Sequence, residues 1–263
     1  MFVFDCHVHL PSPGLQYTWE WQPHTADIPQ AILYLQHCGI DRILANSVRG
    51  EIARTVNEMV AGNDEVARAV NSYPDFIIPA CLINTNFPEA ALKELERCRN
   101  ECGMVWVGEL CGYTGGYAYN TPAFSDLVRL ATKLDMVVHI HNDDIDDMER
   151  LCRSFPGTTF VLAHLGDEPE QVTRRIGLAA RYPNLYLDIC GNGFERMGVL
   201  EYAVRVAGPE RVLFGSDFTI NDPSGVKARI EHSDLDEPTR RKILGGNLVR
   251  LLAEHGLVIS ENP

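Results

Sequence analysis

The feature that most constrains this chain is an alternation that runs its whole length. A short apolar, β-branched run is followed by an amphipathic helical stretch, and the pair recurs eight times. The runs are FVFDCHV (2–8), RILANS (42–47), FIIPACLI (76–83), MVWVGEL (104–110), MVVHIH (136–141), TFVLAHL (159–165), LYLDIC (185–190) and RVLFGSD (211–217). Helical patterns lie at 27–38, 51–71, 88–101, 122–134, 144–154, 168–181 and 195–207, and a helical segment ends the chain. Strands that are apolar on both faces belong to a parallel sheet covered by helices on either side. Eight such units predict closure into a (β/α)8 TIM barrel of the α/β class. An open doubly wound sheet is the alternative, but no GxGxxG follows the first strand. The 263 residues, 45% of them hydrophobic, suffice for one barrel-sized core. With no linker, repeat or low-complexity stretch, residues 1–263 read as a single domain.

The ionisable residues gather at one end of these runs. His7 and His9 close the first, Glu109 the fourth, His139 and His141 the fifth, His164 the sixth and Asp217 the eighth. In a barrel the C-terminal strand ends face the pocket where chemistry occurs. Residues two apart on a strand point the same way, so His7 pairs with His9 and His139 with His141, while Cys6 and Val8 are expected to pack outward. A lone strand-end histidine is most often a hydrogen-bonded core residue. Five histidines and two carboxylates at the same end of five strands make a metal site the better reading, since borderline divalent ions such as Zn²⁺ take this donor mixture.

Composition excludes several classes. A net charge of −13 and a pI near 5.1 give nucleic acid or an anionic membrane no electrostatic footprint. No stretch approaches the roughly 20 apolar residues of a membrane span, and the N-terminus lacks the basic and cleavage regions of a secretory leader. The eight cysteines are scattered without a CxxC pair. Ala91, Leu95, Cys98 and Cys102 follow one helical stripe, so these thiols read as small buried hydrophobes, and a reducing, cytoplasmic home is the default.

The motifs DCHVH, MVVHIHND, FVLAHLGD, NLYLDICG and RVLFGSD, with NDEVARAVNSYPDFIIPACLINTNFPEAALKELERC (63–98) and the terminal RRKILGGNLVRLL (240–252), resemble in order the amidohydrolase superfamily of metal-dependent (β/α)8 enzymes. The branch most similar includes aminocarboxymuconate semialdehyde decarboxylase and the pyrone-dicarboxylate lactonases. The resemblance covers nearly the whole chain. It implies that His7, His9 and Asp217 ligate one metal, with His141 and His164 as the histidines of strands 5 and 6. His139, one pleat deeper, is either a packed support for a ligand or a substrate contact. Much of this branch has lysine or no ligand at strand 4, whereas VGEL supplies Glu109 here, as in the TatD-like branch. That glutamate either bridges two metals or is a buried acid paired with a nearby cation.

The expected cofactor is therefore a divalent metal, zinc first and manganese second, as one or two ions. Such an ion brings the pKa of bound water toward about 7. The resulting hydroxide attacks the carbonyl of a small lactone, amide or ester, with Asp217 as general base. With one metal, His164 polarises the substrate carbonyl instead of ligating. The alternatives are decarboxylation of a small unsaturated carboxylic acid and TatD-like phosphodiester cleavage. The substrate side is thinner: Arg49 either anchors a substrate carboxylate or pairs with Glu51, and Arg196 and His232 are weaker anchors. The long first loop (11–27), with Tyr17, Trp19, Trp21 and His24, either lids the pocket or packs on itself. Tyr113 and Tyr117, in the glycine-rich CGYTGGY, are within reach of the same pocket. The partner is a small molecule, with no nucleic acid and no membrane; a homodimer follows from the resemblance alone.

Overall fold

A computed structural model describes residues 1–15, 27–191 and 193–260. The chain alternates β1 (Phe4–Leu10), α1 (Ile28–His37), β2 (Arg42–Ser47), α2 (Val48–Glu51), α3 (Val56–Ser72), β3 (Ile77–Pro79), α4 (Pro88–Glu101), β4 (Trp106–Cys111), α5 (Gly112–Gly115) and α6 (Pro122–Lys133). It continues with β5 (Val137–His141), α7 (Ile145–Ser154), β6 (Phe160–Leu162), α8 (Pro169–Arg181), β7 (Leu185–Asp188), α9 (Val199–Ala207), β8 (Val212–Leu213), α10 (Pro223–Glu231), α11 (Glu237–Arg241) and α12 (Asn247–Glu254). All strand pairs are parallel, in the orders β1-β2-β3 and β4-β5-β6-β7-β8. Two seams join these into a barrel. Cys81 N donates to Trp106 O (3.0 Å) and Gly108 N to Cys81 O (2.8 Å); at the other seam Cys6 N donates to Phe214 O (2.9 Å) and Asp217 N to His7 O (2.9 Å). The protein is a (β/α)8 barrel, as the alternation requires.

Local chemistry sets the element ends. Asp27, Thr121, Asp144, Asp222 and Asp236 each cap a helix by accepting a backbone N–H, and proline opens several helices where no N–H is needed. The expected helix 51–71 divides because Thr55 caps α3 through Glu58 N (3.2 Å), which leaves Glu51 at the end of the separate turn α2. Strands 3, 6 and 8 are shorter than their apolar runs.

Two apolar layers follow. One fills the space between barrel and helices. The other collects Phe4, Cys6, Leu44, Trp106, Val137 and Leu213 inside the barrel with Leu248, Leu251 and Leu252 of α12. The terminal helix thus closes the end opposite the strand C-termini. Cys6 belongs to this inner layer and Val8 to the outer one, so the outward placement of Cys6 is corrected. The cause is a register shift between Asp5 and Val8, which resets the two-residue alternation and leaves His7 and His9 facing the interior. β4 has the same irregularity between Val107 and Leu110, and there it turns Glu109 inward. Gly108 allows it: a Cβ at that position would lie 2.2 Å from His139 O.

The helix stripe on α4 buries Ala91, Leu95 and Cys98. All eight cysteines are free thiols. Among the described residues no helix is long and apolar enough to cross a membrane.

Candidate metal centre

At the C-terminal ends of the strands, β1 brings two imidazoles together. His7 Nε2 and His9 Nε2 lie 3.0 Å apart. Their other nitrogens are committed: His7 Nδ1 meets Asp188 Oδ2 at 2.6 Å, and His9 Nδ1 meets Asn46 Oδ1 at 2.7 Å. The amide of Asn46 is oriented by its Nδ2, which donates to Gly108 O (3.2 Å). The ring hydrogens therefore sit on the two Nδ1 atoms, and two Nε2 lone pairs face one another.

Carboxylate oxygens complete the group. Glu109 Oε2 lies 3.2 Å from His7 Nε2 and 3.7 Å from His9 Nε2; Asp217 Oδ1 lies 3.6 and 3.3 Å from the same atoms. These four residues are buried, and among the described residues Asp217 Oδ1 has no aligned hydrogen-bond partner. Four converging acceptor atoms repel unless positive charge, a proton or a metal ion, sits among them. The donor set, two imidazoles and two carboxylates, fits a divalent ion.

The other oxygen of Glu109 faces a second group. Glu109 Oε1 lies 3.0 Å from His141 Nδ1 and 3.4 Å from His164 Nε2. His164 Nδ1 is turned toward Cys190, 3.3 Å from its carbonyl and 3.2 Å from its sulfur, which leaves Nε2 for Glu109. The carboxylate of Glu109 thus stands between two clusters of possible ligands, His7–His9–Asp217 and His141–His164. Electrostatics carry the same message. Burial opposes charge on both partners, yet Glu51 foremost, then Asp217, pushes the His9 imidazole up to about 10. Burial also works against the Glu109 carboxylate, but the charges of His7 and His141 hold it well below the usual carboxylate range. The cluster attracts positive charge.

Backbone shape serves these positions. His164 (φ 63°) and Asp217 (φ 62°) adopt the left-handed conformation, unfavourable for residues with a Cβ, and both do so where the chain leaves its strand. Gly191 clears space for His164, because a Cβ there would lie 2.4 Å from His164 Nδ1.

Of the residues expected from sequence, His7, His9, Glu109, His141, His164 and Asp217 come together. His139 does not reach the mouth. It is buried beneath the cluster, 3.3 Å from Asp188 Oδ2 and edge-on to His7 and Trp106, in a supporting position instead of a substrate-facing one. Arg49 pairs with Glu65 (2.6 Å), not with Glu51, which corrects that expectation. Arg196 lines a groove between α8 and α9 outside the cluster. His24, with Tyr17, Trp19 and Trp21, falls outside the described residues. Tyr113 stands over His141, ring to ring at 5.1 Å, and is 69% exposed.

Sequence reasoning missed the layer behind the ligands. Asp188, Asn46 and Glu51 brace the histidines, and Cys190 Sγ touches both His7 Nδ1 (3.1 Å) and His164 Nδ1 (3.2 Å). Asp5 accepts from His7 N (3.0 Å) and Ser216 N (2.9 Å), tying β1 to the turn that presents Asp217; burial pushes its carboxyl up to about 7. The available signal was an acidic residue inside an otherwise apolar strand, as in LYLDIC and FVFDC.

Comparison with known proteins supplies independent findings. A family model described as Amidohydrolase matches residues 4–253. A comparison with curated protein sequences finds no match. Similar solved structures include a dihydroxybenzoic acid decarboxylase from Polaromonas sp. JS666 with bound manganese and the inhibitor 2-nitroresorcinol. It is 18% identical, with a TM-score of 0.78 over 96% of this chain and 97% of that one. The 5-carboxyvanillate decarboxylase of Sphingomonas paucimobilis is 15% identical, with a TM-score of 0.76 over 96% and 99% of the two chains. An uncharacterised TIM-barrel protein from Bordetella bronchiseptica is 20% identical, with a TM-score of 0.77 over 98% and 100%.

Proposed function

This chain belongs to the amidohydrolase family, and from that premise we propose that it is a metal-dependent hydrolase of small carbonyl compounds: lactones, amides or esters. The observation that carries the reading is the placement of Glu109, with one carboxylate oxygen toward His7 and His9 and the other toward His141 and His164. A shared carboxylate suits two adjacent divalent ions, as hydrolytic sites use. His7, His9 and Asp217 would hold one ion and His141 and His164 the second, with zinc or manganese compatible with these donors. When bound, such ions supply a nucleophile at neutral pH and polarise the substrate carbonyl.

The protein's own groups divide the remaining work. Asp188 and Asn46 keep the His7 and His9 ring hydrogens on Nδ1. Asp217 Oδ1, without an aligned hydrogen bond among the described residues, is the base that takes a proton from water and returns it to the leaving group. The carbonyl and thiol of Cys190 hold His164 with Nε2 directed into the cluster.

A second reading is decarboxylation, favoured by the several decarboxylases among the similar structures, three of them with bound manganese. Against it, the cluster is ringed by carboxylates, and Arg49 is engaged by Glu65. Assays of lactones, amides, esters, phosphodiesters and hydroxybenzoates, with manganese or zinc added, test both readings. Turnover confined to hydroxybenzoates, with release of carbon dioxide, would overturn hydrolysis.

A further inference from the structure

Glu51 is a buried carboxylate whose contact with His9 leaves its second oxygen without a close partner among the described residues. Its side chain is 5% exposed. Oε2 lies 2.9 Å from His9 Nδ1, but that nitrogen also faces Asn46 Oδ1 at 2.7 Å, and among the described residues Oε2 accepts no aligned hydrogen bond. Among the described residues Oε1 has only the Thr114 hydroxyl, at 3.5 Å. A carboxylate this poorly satisfied is costly to bury.

Its surroundings indicate what it awaits. Glu51 and Glu109 line one small cavity between the ends of β2, β3 and β4, with Leu82 and Ile83 as an apolar wall and Tyr117 at one side. The space suits a water-sized group. Asn84 also lines it, but its amide is engaged, with Nδ2 donating to Ala53 O (3.1 Å) and Gly115 O (2.9 Å) and Oδ1 accepting from Asn86 N (2.9 Å). The lining contains no lysine or arginine; the bordering segments 80–87 and 112–121 have none, and in 48–54 Arg49 is engaged by Glu65 while Arg54 lies beside Gly116. The cavity is rich in acceptors and short of donors.

We propose that Glu51 is a specificity-determining residue, accepting a hydrogen bond from an N–H or O–H group of the substrate seated beside the metal centre. The site then favours uncharged acyl compounds that carry a donor next to the reacting carbonyl, such as primary amides or hydroxy-substituted acyl groups. A substrate that presents a carboxylate to this cavity is repelled by Glu51 and Glu109 together. The inference rests on the metal-dependent reading above.

Calorimetry with two small probes tests it on the whole chain at saturating manganese. Acetohydroxamate offers N–H and O–H donors; acetate offers acceptors alone. The wild type is expected to bind acetohydroxamate more tightly than acetate. Glu51→Gln should lose about tenfold of the hydroxamate affinity, because the charge-assisted acceptor is gone, and should bind acetate more tightly. Equal hydroxamate affinities in the two proteins overturn the proposal. So does a Glu51→Gln protein whose hydroxamate affinity falls short only below manganese saturation, which would make Glu51 only a brace for His9. A separate manganese titration keeps the two readings apart: a wild type that binds no manganese overturns the metal centre itself.

Discussion

His7 and Asp188 stand 181 residues apart in the chain and 2.6 Å apart in space, imidazole Nδ1 to carboxylate Oδ2. Both are fully buried, so the contact persists only because each satisfies the other. Burial works against the Asp188 carboxylate, but the charge of His7 and the hydrogen bonds from His139 and His7 hold it far below the usual carboxylate range. The pair fixes the His7 ring with Nε2 toward the cluster. Asp188→Asn is expected to weaken manganese or zinc binding by about 10–100-fold, the usual effect of removing the partner behind a ligating histidine. Competition against a chelator measures it; an unchanged affinity would show that His7 needs no carboxylate.

Glu109 is the residue on which the number of ions turns. Its amide analogue keeps one carbonyl oxygen and replaces the other with an N–H donor, which cannot ligate. Glu109→Gln should therefore bind one metal equivalent fewer than the wild type. Elemental analysis after dialysis decides this, and equal stoichiometry in the two proteins rules out the bridging role.

Gly191 tests how tightly His164 is placed. At φ +65° any side chain is strained, and a Cβ would press on His164 Nδ1. Gly191→Ala should destabilise the metal-free protein by about 2–4 kcal/mol, combining the left-handed penalty with overpacking. Urea denaturation gives the size. Displacement of His164 should also weaken binding of one ion while sparing the His7–His9 position, a split that a general loss of stability does not produce.

Much of this layout is legible in the sequence because barrels place chemistry at strand ends. His7, His9, Glu109, His141, His164 and Asp217 all mark the ends of apolar runs, and the structure gathers them. The braces were hidden for a physical reason. Asp188 and Asn46 act through contacts between strands that are distant in sequence, and Glu51 through a turn that the helical pattern of 51–71 conceals. Cys6 was misplaced because alternation assumes an unbroken ladder, and a bulge leaves no mark on hydropathy. Arg49 and Glu51, two residues apart at the mouth of β2, read as a local pair. In the fold each turns to a different element, Arg49 to Glu65 on α3 and Glu51 to His9 on β1.

Glu94 carries a pH dependence away from the metal centre. Burial raises its pKa, but hydrogen bonds from Arg97 and Asn63 win and lower it below the ordinary value. A depressed folded-state pKa contributes stability above the unfolded value and loses it as acid protonates the folded carboxylate. Wild-type stability should therefore hold from neutral pH down to about pH 4.3, the ordinary glutamate value, and fall between there and about pH 3, and Glu94→Gln should show a shallower fall. Urea midpoints at the two pH values check the sign; a steeper fall in the variant contradicts it.

Arg175 is the test of what holds the histidine-bearing strand ends together. It lies on the helical face of α8 yet is 1% exposed. One guanidinium nitrogen, Nη1, donates to Ala163 O (3.0 Å) and His164 O (2.9 Å), and Nη2 donates to Asn142 O (3.1 Å) and Asp143 Oδ1 (2.9 Å). It thus clamps the chain just beyond His141 to the chain around His164. Lysine has one nitrogen and cannot span these acceptors, so buried carbonyls are left unsatisfied. Arg175→Lys should destabilise the metal-free protein by about 2–4 kcal/mol. The ion pair contributes little of this, since the Asp143 side chain is 72% exposed; Asp143→Asn should cost less than about 1 kcal/mol. Equal losses in the two variants would move the credit from the backbone carbonyls to the salt bridge. A large loss for Arg175→Lys alone identifies the arginine as the fastener between the strand ends that carry His141 and His164.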